Sequence, residues 1–354
     1  MMRVLLTGNK GYIGTVMAPM LAAAGYQVVG LDSDLFEQCT FGEDPVSFPT
    51  LRKDLRDVEL SDLERFEAVI HLAGLSNDPL GNINPDLTYE INQIASIRLA
   101  QLAKQAGVKR FLFSSSCSTY GASGDRLLDE NSEFNPVTPY ARSKVLVEQE
   151  LSRLADAGFS PVFLRNATAY GLSPRHRFDL VLNNLVAWAF TTGRVRMTSD
   201  GTPWRPLVHI EDISHAFLAV LQTPRELTHN MALNVGSPEE NYQIRDIAQI
   251  VEETVGNCRI EFAGTGEPDT RCYRVDFRRI AEVLPNFKPQ WDARKGAQQL
   301  LNAYRKVGLS VSDFEGVRYK RIDHVKHLLA TGRLSPALRW TEPSSMALEA
   351  SRVS

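Results

Sequence analysis

Short apolar runs alternate with amphipathic stretches along the first half of the chain. Arg3–Thr7, Gln27–Asp32, Ala68–Leu72, Lys109–Ser115 and Ser160–Arg165 are each brief and rich in Val, Ile, Leu or Phe. Strands covered on both faces carry this pattern. Helices are expected between them. The clearest spans Pro85 to Ala106, where Leu87, Ile91, Ile94, Ile97, Leu99 and Leu102 recur at helical spacing, and Gly107 stands where a C-cap glycine belongs. Another begins near Pro139 and runs through Val145, Leu146 and Leu151. Strands alternating with helices imply an α/β fold with a doubly wound parallel sheet.

After Tyr170 the alternation loosens, and Pro174, Gly193, Gly201, Pro203 and Pro206 punctuate shorter elements. This reads as a smaller lobe at residues 171–310, interleaved with returns to the sheet such as Leu233–Gly236, after a first domain at 1–170. Ordinary helices are expected near Ile244–Val255 and Lys295–Tyr304. Residues 311–340 form a helical extension, with Ile322, Val325, Leu328 and Leu329 on one face for packing or for contact between subunits. Residues 341–354 read as a frayed tail. No internal repeat or low-complexity segment interrupts the chain.

Composition narrows the partners. The 354 residues carry a net charge of −3 and are 43% hydrophobic, enough for a large core. So balanced a charge offers no basic field for nucleic acid or a membrane surface, and a negative ligand must be held by a few placed cations. MMRVLLTG has too little basic and apolar character for a signal peptide, and no apolar run approaches the roughly 18–20 residues of a membrane span. Cys39, Cys117, Cys258 and Cys272 are scattered without a CxxC pair, which favours reduced thiols, no metal site and a cytoplasmic setting.

TGNKGYIG follows the first strand and opens the first helix, with Gly8, Gly11 and Gly14 as its glycines. Glycine permits the tight turn and lets backbone approach a pyrophosphate, which then faces the helix N-terminus. Tyr12 and Ile13 complete the loop. Asp32, at the end of the second strand, can accept hydrogen bonds from an adenosine ribose and repel a 2′-phosphate. Neither Ser33 nor Asp34 is a cation, so NAD is favoured over NADP.

Tyr140 and Lys144 form a YxxxK pair at a helix start, and four-residue spacing puts both on one face. Free tyrosine ionises near pH 10, too high for a base at neutrality. A neighbouring ammonium favours the phenolate, which can then take a hydroxyl proton. Ser116, in FSSSCSTYG, stands at a strand end, where such sheets present side chains to the ligand crevice.

Together these motifs resemble the extended short-chain dehydrogenase/reductase family, the nucleotide-sugar epimerases and dehydratases. The resemblance covers roughly Arg3 to Tyr304 and rests on TGNKGYIG, Asp32, Asp54–Leu55, HLAG (His71–Gly74), SSSCSTYG, YARSK and RPLVHIEDI. It implies a Rossmann-like fold binding NAD in 1–170, a nucleotide-sugar lobe in 171–310, and a homodimer. By resemblance, Asp54 and Leu55 flank the adenine, Ala73 and Gly74 lie against the cofactor, and Asn92 lies near the nicotinamide ribose. On the substrate side, Asn184 and Arg205 are expected at the nucleotide diphosphate, and a guanidinium fork suits phosphate oxygens. His209 and Asp212 are expected to organise their strand and helix.

The chain also departs from the family. Gly266 stands where an arginine often precedes the aspartate matching Asp269; Arg271 or Arg274 is the available substitute. Thr168 replaces an asparagine before the YG. Cys117–Ser118 replaces the Asp–Glu pair of 4,6-dehydratases, so elimination of water is disfavoured, and Cys117 is expected to be a packing residue. Three functions stay open: a 4-epimerase working through a 4-keto sugar, a one-way 4-ketoreductase or 4-dehydrogenase, and a non-catalytic dinucleotide binder. The intact Ser116, Tyr140 and Lys144 argue for the first two.

Overall fold

The computed structural model of the protein describes residues 1–76, 84–197, 199–262 and 271–341. Its centre is a seven-stranded parallel sheet. In chain order the strands are β1 (Arg3–Thr7), β2 (Gln27–Asp32), β3 (Thr50–Arg52), β4 (Ala68–His71) and β5 (Arg110–Ser116). After β6 (Ala122–Leu128), which lies outside this sheet, come β7 (Ser160–Asn166), β8 (Thr168–Tyr170), β9 (Arg194–Met197), β10 (Trp204–His209) and β11 (Met231–Val235). The spatial order is β11-β7-β5-β4-β1-β2-β3. The five strands expected from the apolar runs all occur, and the return to the sheet expected near Leu233 is its edge strand. Only β3 gave no signal: three half-buried residues at the opposite edge contain no apolar run.

Neighbouring side chains on each strand pack on opposite sheet faces. Leu6 joins Met17, Leu21 and Phe217 in one core, whereas Leu5 joins Leu99, Val147 and Leu151 in the other. A third core, built from Leu182, Val186, Ile247, Val251, Leu300 and Tyr304, fills the second lobe and takes in Phe314 and Tyr319. That lobe also contains β12 (Asn241–Gln243), β13 (Arg259–Phe262) and β14 (Cys272–Val275). They form three small sheets, β12-β10-β8, β13-β9 and β14-β6.

Two expected helices differ in detail. The stretch from Pro85 is continuous but contains a π-helical turn, Tyr89–Ile94, before Ala95–Gln105. The extra residue in that turn rotates the buried face. Asn92 is thereby buried, and Ile94, expected on the apolar face, is 60% exposed. Beyond Leu309 the chain forms two helices, Val311–Phe314 and Arg321–Ala330, the second burying Val325 and Leu328 while Ile322 and Leu329 are half-buried. Gly266 and Asp269 lie outside the described residues, as does the tail beyond Thr341. Among the described residues, no helix is long and apolar enough to cross a membrane and no cluster of metal-ligating side chains occurs.

Candidate active site

A cleft of about 720 Å³ opens at the carboxyl edge of the sheet, between it and the second lobe. Gly8, at φ +74°, turns the chain out of β1. A Cβ there would stand 2.8 Å from the Ala73 nitrogen, and one on Gly14 would stand 2.1 Å from the Gly8 oxygen. Both contacts are with backbone that cannot yield, so the loop requires glycine at each position. The helix Gly14–Ala23 that follows has no side-chain cap. The Thr15 N–H donates to the Gly11 oxygen at 3.1 Å and those of Val16 and Met17 to the Ile13 oxygen at 3.1 and 2.9 Å, so it is the loop backbone before the helix, backed by the helix dipole, that suits a pyrophosphate. Gly11 and Ile13 line the same cradle. Tyr12 contributes only backbone: its hydroxyl donates to the Gly171 oxygen at 2.7 Å and accepts from Asn183 at 3.1 Å.

Asp32 lines the cleft, and backbone N–H groups hold both its oxygens: Lys10 donates to Oδ2 at 3.0 Å and Asp34 to Oδ1 at 2.8 Å. Burial pushes this carboxyl above its ordinary range. Ser33 and Asp34 bring no cation, but the glycine loop does: Lys10 Nζ pairs with Asp34. Asp54 and Leu55 line the cleft as well, with Asp54 also holding the Arg56 guanidinium at 2.7 and 2.9 Å. Ala73 and Gly74 form the opposite wall. Asn92 does not line the cleft. Its amide clamps the Leu75 backbone, accepting at 2.7 Å and donating at 2.9 Å, so it positions the loop after Gly74 from behind.

Ser116, Tyr140 and Lys144 all line the cleft. Ser116 ends β5, and its Oγ accepts from the Ser118 nitrogen at 3.1 Å. Tyr140 opens the helix Pro139–Leu154, which starts on a Thr138 cap with proline at the first position. One turn on, Lys144 Nζ donates to the Ser114 oxygen at 2.7 Å and stands 5.6 Å from the Tyr140 ring centre. Burial pulls the Lys144 ammonium down to about 8, against the upward pull of Glu148. The charge facing Tyr140 is present below that pH and fades above it. Cys117 is fully buried with its sulfur against the Arg165 oxygen, and burial holds the thiol protonated. It is a packing residue, as expected.

Asn184, Arg205 and Arg271, the residues expected on the substrate side, line the same cleft. Arg205 is buried, donates to the Trp204 oxygen at 2.7 Å and to the Arg271 oxygen, and so ties β10 to the segment entering β14. Asn184 donates to the Phe178 oxygen at 2.8 Å. Of the two candidate substitutes, Arg271 lines the cleft and Arg274 instead stacks 4.6 Å over Trp204. Thr168 lines the wall. His209 caps its helix through the Glu211 nitrogen at 3.2 Å, and Asp212 accepts from the Gln290 and Trp291 nitrogens at 2.9 and 3.1 Å, the organising roles expected of them.

Five further charged residues line the cleft: Lys53, Arg177, Asp179, Arg196 and Arg321. Arg177 pairs with Asp179 at 2.6 Å and donates to the Ser76 hydroxyl and carbonyl, both at 3.2 Å, joining the second lobe to the loop after β4. In sequence these are charges scattered over loops, the strand β9 and the extension, with no periodicity to mark them. Only the chain's return across the sheet brings them to the cleft.

The comparisons agree with this geometry. The NAD dependent epimerase/dehydratase family matches residues 4–236. A UDP-glucose 4-epimerase of Rhizobium meliloti is 28% identical over 311 residues, 82% of this chain and 93% of that protein. One from Mycolicibacterium smegmatis is 28% identical over 316 residues, covering 86% and 99%. Among solved structures, MoeE5 in complex with UDP-glucuronic acid and NAD superposes with a TM-score of 0.74 at 26% identity, covering 86% of this chain and 99% of that one. An NAD dependent NDP-hexosamine 5,6-dehydratase, TunA, superposes with a TM-score of 0.76 at 23% identity, covering 86% and 98%, which shows the shared fold. The chain is an NAD-dependent enzyme and belongs to the NAD dependent epimerase/dehydratase family.

Proposed function

We propose that the protein is a nucleotide-sugar 4-epimerase. The observation that carries this reading is the convergence of Ser116, Tyr140 and Lys144 on one cleft, between a glycine cradle and an arginine-lined end, with no acid at positions 117 and 118. NAD, held by the glycine cradle and Asp32, would supply the hydride acceptor and donor for the sugar carbon. Tyr140 takes the proton of the 4-hydroxyl and later restores it. Lys144 places positive charge beside the Tyr140 ring and favours its phenolate. Ser116 Oγ holds the sugar oxygen in reach. Rotation of the 4-keto sugar before hydride return inverts carbon 4. Elimination of water would need a further acid–base pair beside Ser116, where the chain offers a buried thiol and a hydroxyl. The relatives named as UDP-glucose 4-epimerases support the same choice. The purified protein is expected to interconvert the two 4-epimers of a UDP-sugar without added cofactor. Steady consumption of added NADH with a 4-keto sugar would instead establish a ketoreductase.

Asp32 gives the cofactor preference. The wild type is expected to bind NAD(H) much more tightly than NADP(H), and Asp32→Ala to narrow the gap, because the carboxylate repels a 2′-phosphate. Equal wild-type affinities in calorimetry would overturn this assignment.

Arg205 serves the substrate diphosphate. A charge-assisted hydrogen bond contributes on the order of 1.5–3 kcal/mol, so Arg205→Ala is expected to weaken nucleotide-sugar binding roughly 10- to 100-fold. NAD content should be unchanged, since the two phosphate sites lie at different ends of the cleft. Unaltered nucleotide-sugar affinity would remove Arg205 from the site.

A further inference from the structure

The extension at the C-terminus lies beyond Gly236, where the family match ends, yet it reaches the cofactor end of the cleft. Three contacts fasten its last described turn there. Trp340 Nε1 donates to the Ser33 oxygen at 2.8 Å, one residue past Asp32. Arg339 pairs with Asp57 at 2.5 Å, and the Ala337 oxygen accepts from Arg56 at 3.0 Å. Leu338, between them, lines the cleft.

Arg321 begins the helix Arg321–Ala330 and lines the same cleft. It is 8% exposed. One guanidinium nitrogen donates to the Arg175 oxygen at 3.2 Å, and the plane lies 4.2 Å over the Phe36 ring. Nε has no hydrogen-bond partner. Among the described residues no carboxylate lies within ion-pair distance of this cation; Asp179, paired with Arg177 at 2.6 Å, and Asp32 attract it from further away. A buried charge without a counter-ion is costly, and natural proteins pair such groups or present them to a ligand. Burial, with Arg177 nearby, pulls Arg321 down to about 10, so at neutral pH it still bears its charge.

We propose that Arg321 is the counter-ion of the NAD pyrophosphate, delivered by the C-terminal extension, which thereby straps the cofactor into its cradle. The cradle and this cation share one cleft, and the cofactor brings two negative charges to a guanidinium that Asp179 and Asp32 attract only from beyond ion-pair distance. A tightly retained cofactor also suits chemistry in which the hydride is returned. The proposal rests on the family's cofactor and not on the reaction, so a ketoreductase outcome leaves it standing.

The test is equilibrium binding to protein stripped of nucleotide, with NAD, ADP and adenosine as probes, for the wild type and Arg321→Met. Affinity for NAD and for ADP is expected to fall roughly 10- to 100-fold, with adenosine affinity unchanged, because only the first two carry the pyrophosphate. The melting temperature of the stripped variant is expected to equal or exceed that of the wild type, since an unpaired buried charge has been removed, while the rise produced by NAD shrinks. Arg321→Lys keeps the charge and loses the fork, and its NAD affinity should lie between the other two; it also serves should Arg321→Met fail to fold. NAD and ADP affinities within twofold of wild type in Arg321→Met, or in Arg321→Lys should Arg321→Met fail to fold, would overturn the proposal. So would an equal loss for adenosine, which would mark a structural role.

Discussion

Tyr140→Phe is expected to lower turnover by about 10²–10⁴-fold while NAD and nucleotide-sugar binding are largely kept. The substitution removes one hydroxyl and leaves the ring. Lys144 keeps its hydrogen bond to the Ser114 oxygen at 2.7 Å, and the Thr138 cap at the helix start is untouched. The loss therefore falls on proton transfer and not on the fold. Single-turnover kinetics and calorimetry on one preparation separate the two. Near-normal turnover would refute the assignment of Tyr140, whatever the net reaction.

The second large effect lies beneath the site. Glu148, one turn beyond Lys144, and Arg165, on β7, form a buried pair at 2.7 Å, with both side chains about one-twentieth exposed. Arg165 also donates to the Tyr120 hydroxyl and the Glu130 oxygen at 3.1 Å, and Ser115 Oγ donates to Glu148. The pair thus locks the Tyr140–Lys144 helix to the strands that carry Ser116 and β7. Arg165→Met strands a carboxylate in the interior, and urea unfolding is expected to show a loss of about 3–5 kcal/mol. Glu148→Met added to Arg165→Met should recover much of it, because the desolvated charge is gone. A single variant as stable as the wild type would show that the pair does not hold the helix.

The parts of this molecule legible in the sequence are those with local signatures. A strand covered on both faces must be an apolar run, so β1, β2, β4, β5 and β7 announce themselves. The glycine loop announces itself because backbone stands against Gly8 and Gly14 and admits no side chain. YxxxK is legible because both residues share one helix face. By contrast, β3 is an edge strand of three half-buried residues and leaves no periodic trace. The π turn at Tyr89–Ile94 buries Asn92, whose amide clamps the Leu75 backbone, so a regular helical pattern misplaces Ile94. Arg177, Arg196 and Arg321 are far apart in the chain and reach the cleft only through tertiary packing. Arg271 and Arg274 could not be separated by spacing alone; the strand β14 turns one into the cleft and the other onto Trp204.

The central claim is that a hydride leaves carbon 4 and returns to it within one cleft. The most direct measurement follows a nucleotide sugar carrying deuterium at carbon 4, incubated with the purified protein and its retained cofactor. The expected result is the 4-epimer with its deuterium kept and no exchange with added NAD(H). Deuterium lost to the added cofactor pool, with NADH consumed or formed in proportion to product, would contradict it.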